Sequence, residues 1–137
     1  MEVILKERNL TLEEWDSIIT SVDFIPADLS EVKDIQSNSW LVLCAEDKNN
    51  NKLLGFIRVI GDGKHVFFVS DLAVYPQYQN NKIGSRLLEE VIKRVKFSGV
   101  SPRIYLCSTV GREEFYESFG FITRPTENLG AGMIKFV

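Results

Sequence analysis

One histidine, His65, and two cysteines, Cys44 and Cys107, are the whole supply of soft ligands and thiols in 137 residues. A zinc site draws on about four such ligands at set spacings, so no zinc constellation is present. No motif for a Ser-His-Asp triad stands out either. Both cysteines sit in apolar runs, LVLCA and IYLCS, and read as buried strand thiols, not as a disulfide framework. Positive charge is also scarce: 16 Lys and Arg stand against 19 Asp and Glu, a net charge of -3. Binding a phosphate backbone needs a basic field, so a nucleic-acid partner is disfavoured. No apolar run is long enough to span a membrane, and the start MEVILKERNL lacks a signal-peptide pattern. The expected setting is a reducing one, the cytoplasm, with neither a metal nor a membrane partner.

What is present is an ordinary globular composition, 45% hydrophobic and 26% charged. The length predicts a single domain over residues 1–137, large enough to bury a core without staples.

Taken in order, residues 2–7 read as a short apolar strand. Thr11, with Glu14 three residues on, has the pattern of a capping box, and Leu12, Trp15, Ile18 and Ile19 recur at helical spacing. Pro26 interrupts, and Asp28 or Ser30 can cap a second short helix ending near Gln36. Acids such as Glu13, Asp16, Asp23 and Glu31 surround the lone Lys33 here. They form either the solvated face of two helices or an acidic rim that draws in an amine. Strands are predicted over 40–46, 53–60 and 65–74, joined by the turns DKNNN and GDG. Residues 83–97 carry the clearest helical stripe, with Ile83, Leu87, Leu88, Val91, Ile92 and Val95 on one face. A strand over 103–107 follows, and this crossover implies parallel pairing of 72–74 with 104–106. A short helix over 113–119 and two short strands, 121–123 and 133–136, complete the chain.

The chain is organised around Ser70–Arg86, SDLAVYPQYQNNKIGSR, in which an apolar strand runs into a polar turn and then a helix. Unpartnered N–H groups at a helix start, reinforced by the helix dipole, make a cradle for an anion. The plain alternative is a polar helix-start loop with Asn80 or Asn81 as cap. The strand LAV, the stretch Gln79-Asn80-Asn81-Lys82-Ile83-Gly84 and then Leu87-Leu88 resemble the coenzyme-A-binding motif of the GNAT superfamily of N-acetyltransferases, Arg/Gln-x-x-Gly-x-Gly/Ala. Downstream, Phe115-Tyr116-Glu117-Ser118-Phe119-Gly120-Phe121 resembles the family's Phe-Tyr-x-x-x-Gly-Phe segment. The order of elements fits over essentially the whole chain. One position departs: Lys82 stands where the motif has its first glycine. In other segments, Asn38-Ser39, Arg58 with Asp62, Asp71, and Gly130–Met133, the chain resembles aromatic-amine acetyltransferases of the family.

The resemblance implies an α/β (α+β) fold, with a mixed and mostly antiparallel sheet of about seven strands flanked by four helices. It implies acetyl-CoA as co-substrate. Gln79, Asn80, Asn81, Lys82, Ile83, Gly84 and Ser85 would then lie at its pyrophosphate, and the backbone of Leu72, Ala73 and Val74 along its pantetheine arm. It casts Tyr116 as proton donor to the departing thiolate. Asp71, just before the strand, is the candidate general base, in competition with a water chain to solvent. Arg58 either orients a substrate carboxylate or pairs with Asp62 on the surface. Phe24, Trp40, Phe67 and Phe68 are aromatics for an acceptor pocket or for the core, with Phe24 the foremost pocket candidate. The expected activity is direct acetyl transfer to a small-molecule primary amine. The rivals are acetylation of protein lysines or N-termini and a non-catalytic acyl-CoA sensor. Sheet edges and the C-terminal strands are consistent with a homodimer.

Overall fold

The structure, a computed structural model, describes residues 1–137. The chain forms two compact units, Met1–Tyr105 and Leu106–Val137. The first runs β1 (Val3–Glu7), α1 (Leu12–Ser21), a 3-10 turn at Leu29–Glu31, α2 (Val32–Ser37), β2 (Leu41–Asp47), β3 (Leu53–Gly61), β4 (Val66–Val74), a second 3-10 turn at Pro76–Tyr78, and α3 (Ile83–Lys96). It closes with β5 (Arg103–Leu106), whose last residue opens the second unit. The five strands form one sheet in the order β1-β2-β3-β4-β5.

Local chemistry explains how α1 begins. The Glu14 N–H donates to Thr11 Oγ1 at 3.1 Å, and the Thr11 N–H donates to the Glu14 carboxylate at 2.9 Å, the expected capping box. Just before it, the buried Gln36 side chain closes a clamp on Leu10. Its Oε1 accepts from the Leu10 N–H at 2.7 Å and its Nε2 donates to the Leu10 carbonyl at 3.0 Å. One side-chain amide thus serves Leu10 as a neighbouring strand would, tying α2 to the entry of α1.

Pairing in the sheet is antiparallel from β1 through β4. Trp15, Ile18 and Ile19 of α1 and Val32 of α2 pack with Val42, Cys44, Phe56 and Ala73 of the sheet. Side chains alternate faces along a strand, so α3, which also packs on β2, β3 and β4, covers the other face. It buries Ile83, Leu87, Leu88, Val91 and Val95 of the predicted stripe there, while Ile92 at its margin is half-buried. No helix is long and apolar enough to cross a membrane.

The thiols differ. Cys44 is buried, and burial pushes its pKa up to about 12, while Cys107 is exposed beyond the end of β5. The expectation of two buried strand thiols therefore fails for Cys107, because β5 stops one residue short of it. A thiol reagent on the native protein is expected to titrate one group per chain rapidly, the second reacting only on unfolding. Two fast thiols would contradict the placement of Cys44.

The link between β4 and β5 also differs from expectation. The Arg103 N–H donates to the His65 carbonyl at 2.9 Å, so β5 starts at the beginning of β4 and, after the α3 crossover, runs parallel to it. Its four residues, at about 3.3 Å each, reach only as far as Phe68 or Val69. Residues 72–74 are thus not paired with 104–106, and the end of β4 lies beyond β5.

In the second unit, α4 (Glu113–Glu117) is the one regular element. Residues 121–137 form no strand, so the sheet has five strands where about seven were expected. Apolar alternation gives a segment the habit of a strand but no partner, and an unpaired strand does not persist.

Candidate active site

The site begins with the end of β4. The Tyr75 N–H donates to the Leu54 carbonyl at 3.0 Å, and hydrogen-bonded pairs alternate in an antiparallel ladder. Ala73 and Asp71 therefore bond toward β3. Leu72 and Val74 turn their backbone groups to the opposite edge, past the reach of β5. The Gln79 side chain crosses to that edge, its Nε2 donating to the Val74 carbonyl at 3.1 Å. Ala73 sends its methyl into the core under α1, so its small side chain serves packing.

Two residues in left-handed conformation shape the loop, Asn80 at φ 67° and Lys82 at φ 61°. Asn81 Nδ2 donates back to the carbonyls of Tyr78 at 3.1 Å and Gln79 at 3.2 Å. Neither asparagine caps α3. The N-cap is Lys82, which has no acceptor to offer, and no side chain caps this helix. The first turn holds no acid, and the first bond along the helix is from the Arg86 N–H to the Lys82 carbonyl at 3.0 Å. The N–H groups of Ile83, Gly84 and Ser85 are left without a capping acceptor. The motif glycine replaced by Lys82 thus falls at a positive φ, where a side chain costs about 1 kcal/mol. Lys82→Gly is expected to stabilise the protein by up to about 1 kcal/mol in chemical denaturation; a loss of stability would contradict the left-handed cap.

Under α1 lies a charged hub that was not foreseen. Arg58 Nε donates to Asp71 Oδ2 at 2.6 Å, one Nη donates to Ser70 Oγ at 2.7 Å and the other to Ser39 Oγ at 3.3 Å. The guanidinium also lies 5.9 Å from the centre of the Trp15 ring. The expected Arg58–Asp62 pair is not formed. Asp62 instead accepts from the N–H groups of Lys64, His65 and Val66 at 2.8, 2.7 and 3.1 Å, which hold its carboxyl down to about 2. The cause is a bulge. Ladder partners are Val59 with Val69, then Arg58 with Asp71, which leaves Ser70 as the extra residue. In a straight ladder Arg58 would face Ser70.

Tyr116 belongs to the second unit. Its ring meets Phe115 at 5.1 Å and 80° and Phe121 at 5.9 Å and 77°, edge-on in both cases. Burial raises the pKa of its phenol, the charge of Arg112 lowers it in part, and the net shift is upward. The hydroxyl therefore stays protonated, and so able to donate, through neutral pH. Of the other aromatics, Phe67 is fully buried in the core, and the half-buried Trp40 stands edge-on to it at 4.7 Å. Phe24 packs half-buried against the α1 and α2 cluster.

Solved structures with this fold are acetyltransferases. A probable acetyltransferase of unknown function from methicillin-resistant Staphylococcus aureus superposes with a TM-score of 0.86 at 30% identity, over 98% of this chain and 100% of that one. A GNAT family acetyltransferase from Streptococcus pneumoniae gives 0.81 at 27% identity, over 99% and 98% of the two chains. In sequence, an uncharacterised N-acetyltransferase (ycf52-like) of Prochlorococcus marinus is 30% identical over 128 residues, 92% of this chain and 71% of that protein. The profile of the Acetyltransferase (GNAT) family matches residues 9–121. The chain belongs to the GNAT family and is an acetyl-CoA-dependent N-acetyltransferase.

Proposed function

We propose that this enzyme transfers the acetyl group of acetyl-CoA directly to the primary amine of a small molecule. The observation that carries the coenzyme's placement is the uncapped start of α3. Three N–H groups lack a capping acceptor, no acid shares their turn, and a lysine occupies the cap. Such a helix start favours a pyrophosphate over water alone. Gln79, Asn80, Asn81 and Lys82 would line it, with Ile83, Gly84 and Ser85 donating. The outward backbone groups of Leu72 and Val74 suit the amides of an extended arm, added as a strand would be.

Acetyl-CoA supplies an activated thioester. The chain's own residues supply proton handling and position. Asp71 takes a proton from the incoming ammonium through Oδ1, the oxygen that Arg58 does not hold. The amine nitrogen then bonds to the carbonyl carbon and the carbon–sulfur bond breaks. Tyr116 donates its phenolic proton to the departing sulfur, the nitrogen gives up its second proton to solvent, from which the phenolate is reprotonated, and charge stabilisation at the sulfur provides most of the acceleration. No acyl-enzyme is required. The two free thiols suit a reducing compartment such as the cytoplasm.

The test is incubation with acetyl-CoA and a panel of small amines and lysine peptides, read by release of free thiol. Turnover on small amines is expected, with no acetyl adduct in the intact mass of the protein. Turnover on peptides alone would move the acceptor to protein. Coenzyme binding without turnover would identify a sensor, and absence of binding would overturn the reading.

A further inference from the structure

The hub beneath α1 holds more donors than acceptors. Of the five N–H groups of a guanidinium, Arg58 spends Nε on Asp71 Oδ2 and one N–H of each Nη on Ser70 and Ser39. One N–H on each Nη is left over. The Ser39 hydroxyl passes its proton to the Ile35 carbonyl at 2.8 Å, but the Ser70 hydroxyl only accepts, and its own proton has no taker. Trp15 Nε1, in the ring 5.9 Å from the guanidinium, is buried without an acceptor. Against these donors the hub offers one unclaimed acceptor, Asp71 Oδ1. The bulge is the cause, since it brings two consecutive residues of β4 to one guanidinium, where a straight strand would send them to opposite faces. With 12% and 15% of their side-chain surface open, Arg58 and Asp71 still present a narrow face to a ligand.

We propose that this face takes a carboxylate of the acceptor, and that the small amine is an α-amino acid bound as its zwitterion. Its ammonium sits on Asp71 Oδ1, and its carboxylate accepts from the two remaining Nη hydrogens and the Ser70 hydroxyl. Paired guanidinium hydrogens match a planar carboxylate better than a neutral oxygen. The four charges then alternate in sign, so the incoming ammonium does not draw Asp71 away from Arg58. A simple amine would contact Asp71 alone and leave the surplus donors without partners in a partly buried site. The step is the one already given: the N–C bond forms, the C–S bond breaks, and the products are an N-acetyl amino acid and free coenzyme A. This binding mode rests on the reading of Asp71 as base and of the acceptor as a small molecule.

The test compares matched acceptors on the wild-type enzyme with acetyl-CoA: each standard amino acid, its carboxamide, and the amine formed by its decarboxylation. For the amino acid that reacts best, kcat/KM is expected to exceed that of both counterparts by roughly tenfold to a hundredfold, the worth of hydrogen bonds to a charged group. The carboxamide, whose amine sheds its proton more readily, removes basicity as the cause. Arg58→Lys keeps the charge and loses the fork. It should shrink the preference for the amino acid over its decarboxylated amine about tenfold, a ratio that a purely structural role would leave alone. If that variant fails to fold, the matched series on the wild type decides alone. A carboxamide or decarboxylated amine that reacts as well as its amino acid overturns the proposal and leaves transfer to a small amine standing, as does a preference that Arg58→Lys does not alter. Turnover on lysine peptides alone, or on nothing, overturns both readings.

Discussion

Tyr116→Phe is expected to lower kcat by roughly a hundredfold or more, the usual worth of a positioned general acid, with little change in the Kd for acetyl-CoA. The substitution keeps the ring that fits edge-on between Phe115 and Phe121, so folding should be untouched. A pH profile separates loss of a proton donor from a packing effect. The phenol is raised above the ordinary tyrosine range by burial, so the wild-type rate should hold through mildly alkaline pH and fall only as that raised value is passed. The variant has no such limb. An unchanged kcat, or a variant that keeps the alkaline fall, would remove Tyr116 from the chemistry.

Arg58→Ala should produce the largest loss of stability among single changes at the site, about 3 kcal/mol. The side chains of Arg58 and Asp71 are only 12% and 15% exposed, and removing one member of a buried pair leaves the other charge uncompensated. The hydroxyls of Ser39 and Ser70 lose a donor in the same step. Adding Asp71→Ala should restore part of the loss, because the stranded carboxylate is then gone. Denaturant unfolding of the two single variants and the double variant measures the coupling. Additive losses would mean that the ion pair contributes nothing beyond its separate parts.

These two residues show what was legible in the sequence. Tyr116 could be nominated because it lies in a short contiguous segment, FYESFGF, whose resemblance needs no knowledge of the sheet. The same holds for the capping box of Thr11 and Glu14 and for the stripe of α3, which are local periodicities. The partnership of Arg58 with Asp71 was not legible. It depends on a one-residue shift in register at Ser70, and nothing in the composition of VSDLAV marks which residue bulges. The helix start at residues 79–85 was half legible. Its anion-cradle pattern was plain, and the asparagine cap offered beside it is set aside by the backbone, which places Lys82 at the N-cap and turns Asn81 back toward Tyr78. The last strands failed for a third reason. Strand propensity belongs to a segment, but a strand belongs to a pair, and for Met133–Phe136 this chain supplies no neighbour.

The extra residue at Ser70 has one more consequence. A bulge bends its strand without altering the partners on either side, here Val69 with Val59 and Asp71 with Arg58. Loss of that single codon would leave those cross-strand neighbours and the core formula unchanged, would take the Ser70 hydroxyl from Arg58, and would straighten the path by which β4 runs past β5. The edge that Leu72 and Val74 present is thus a question of chain length at one position and not of residue type.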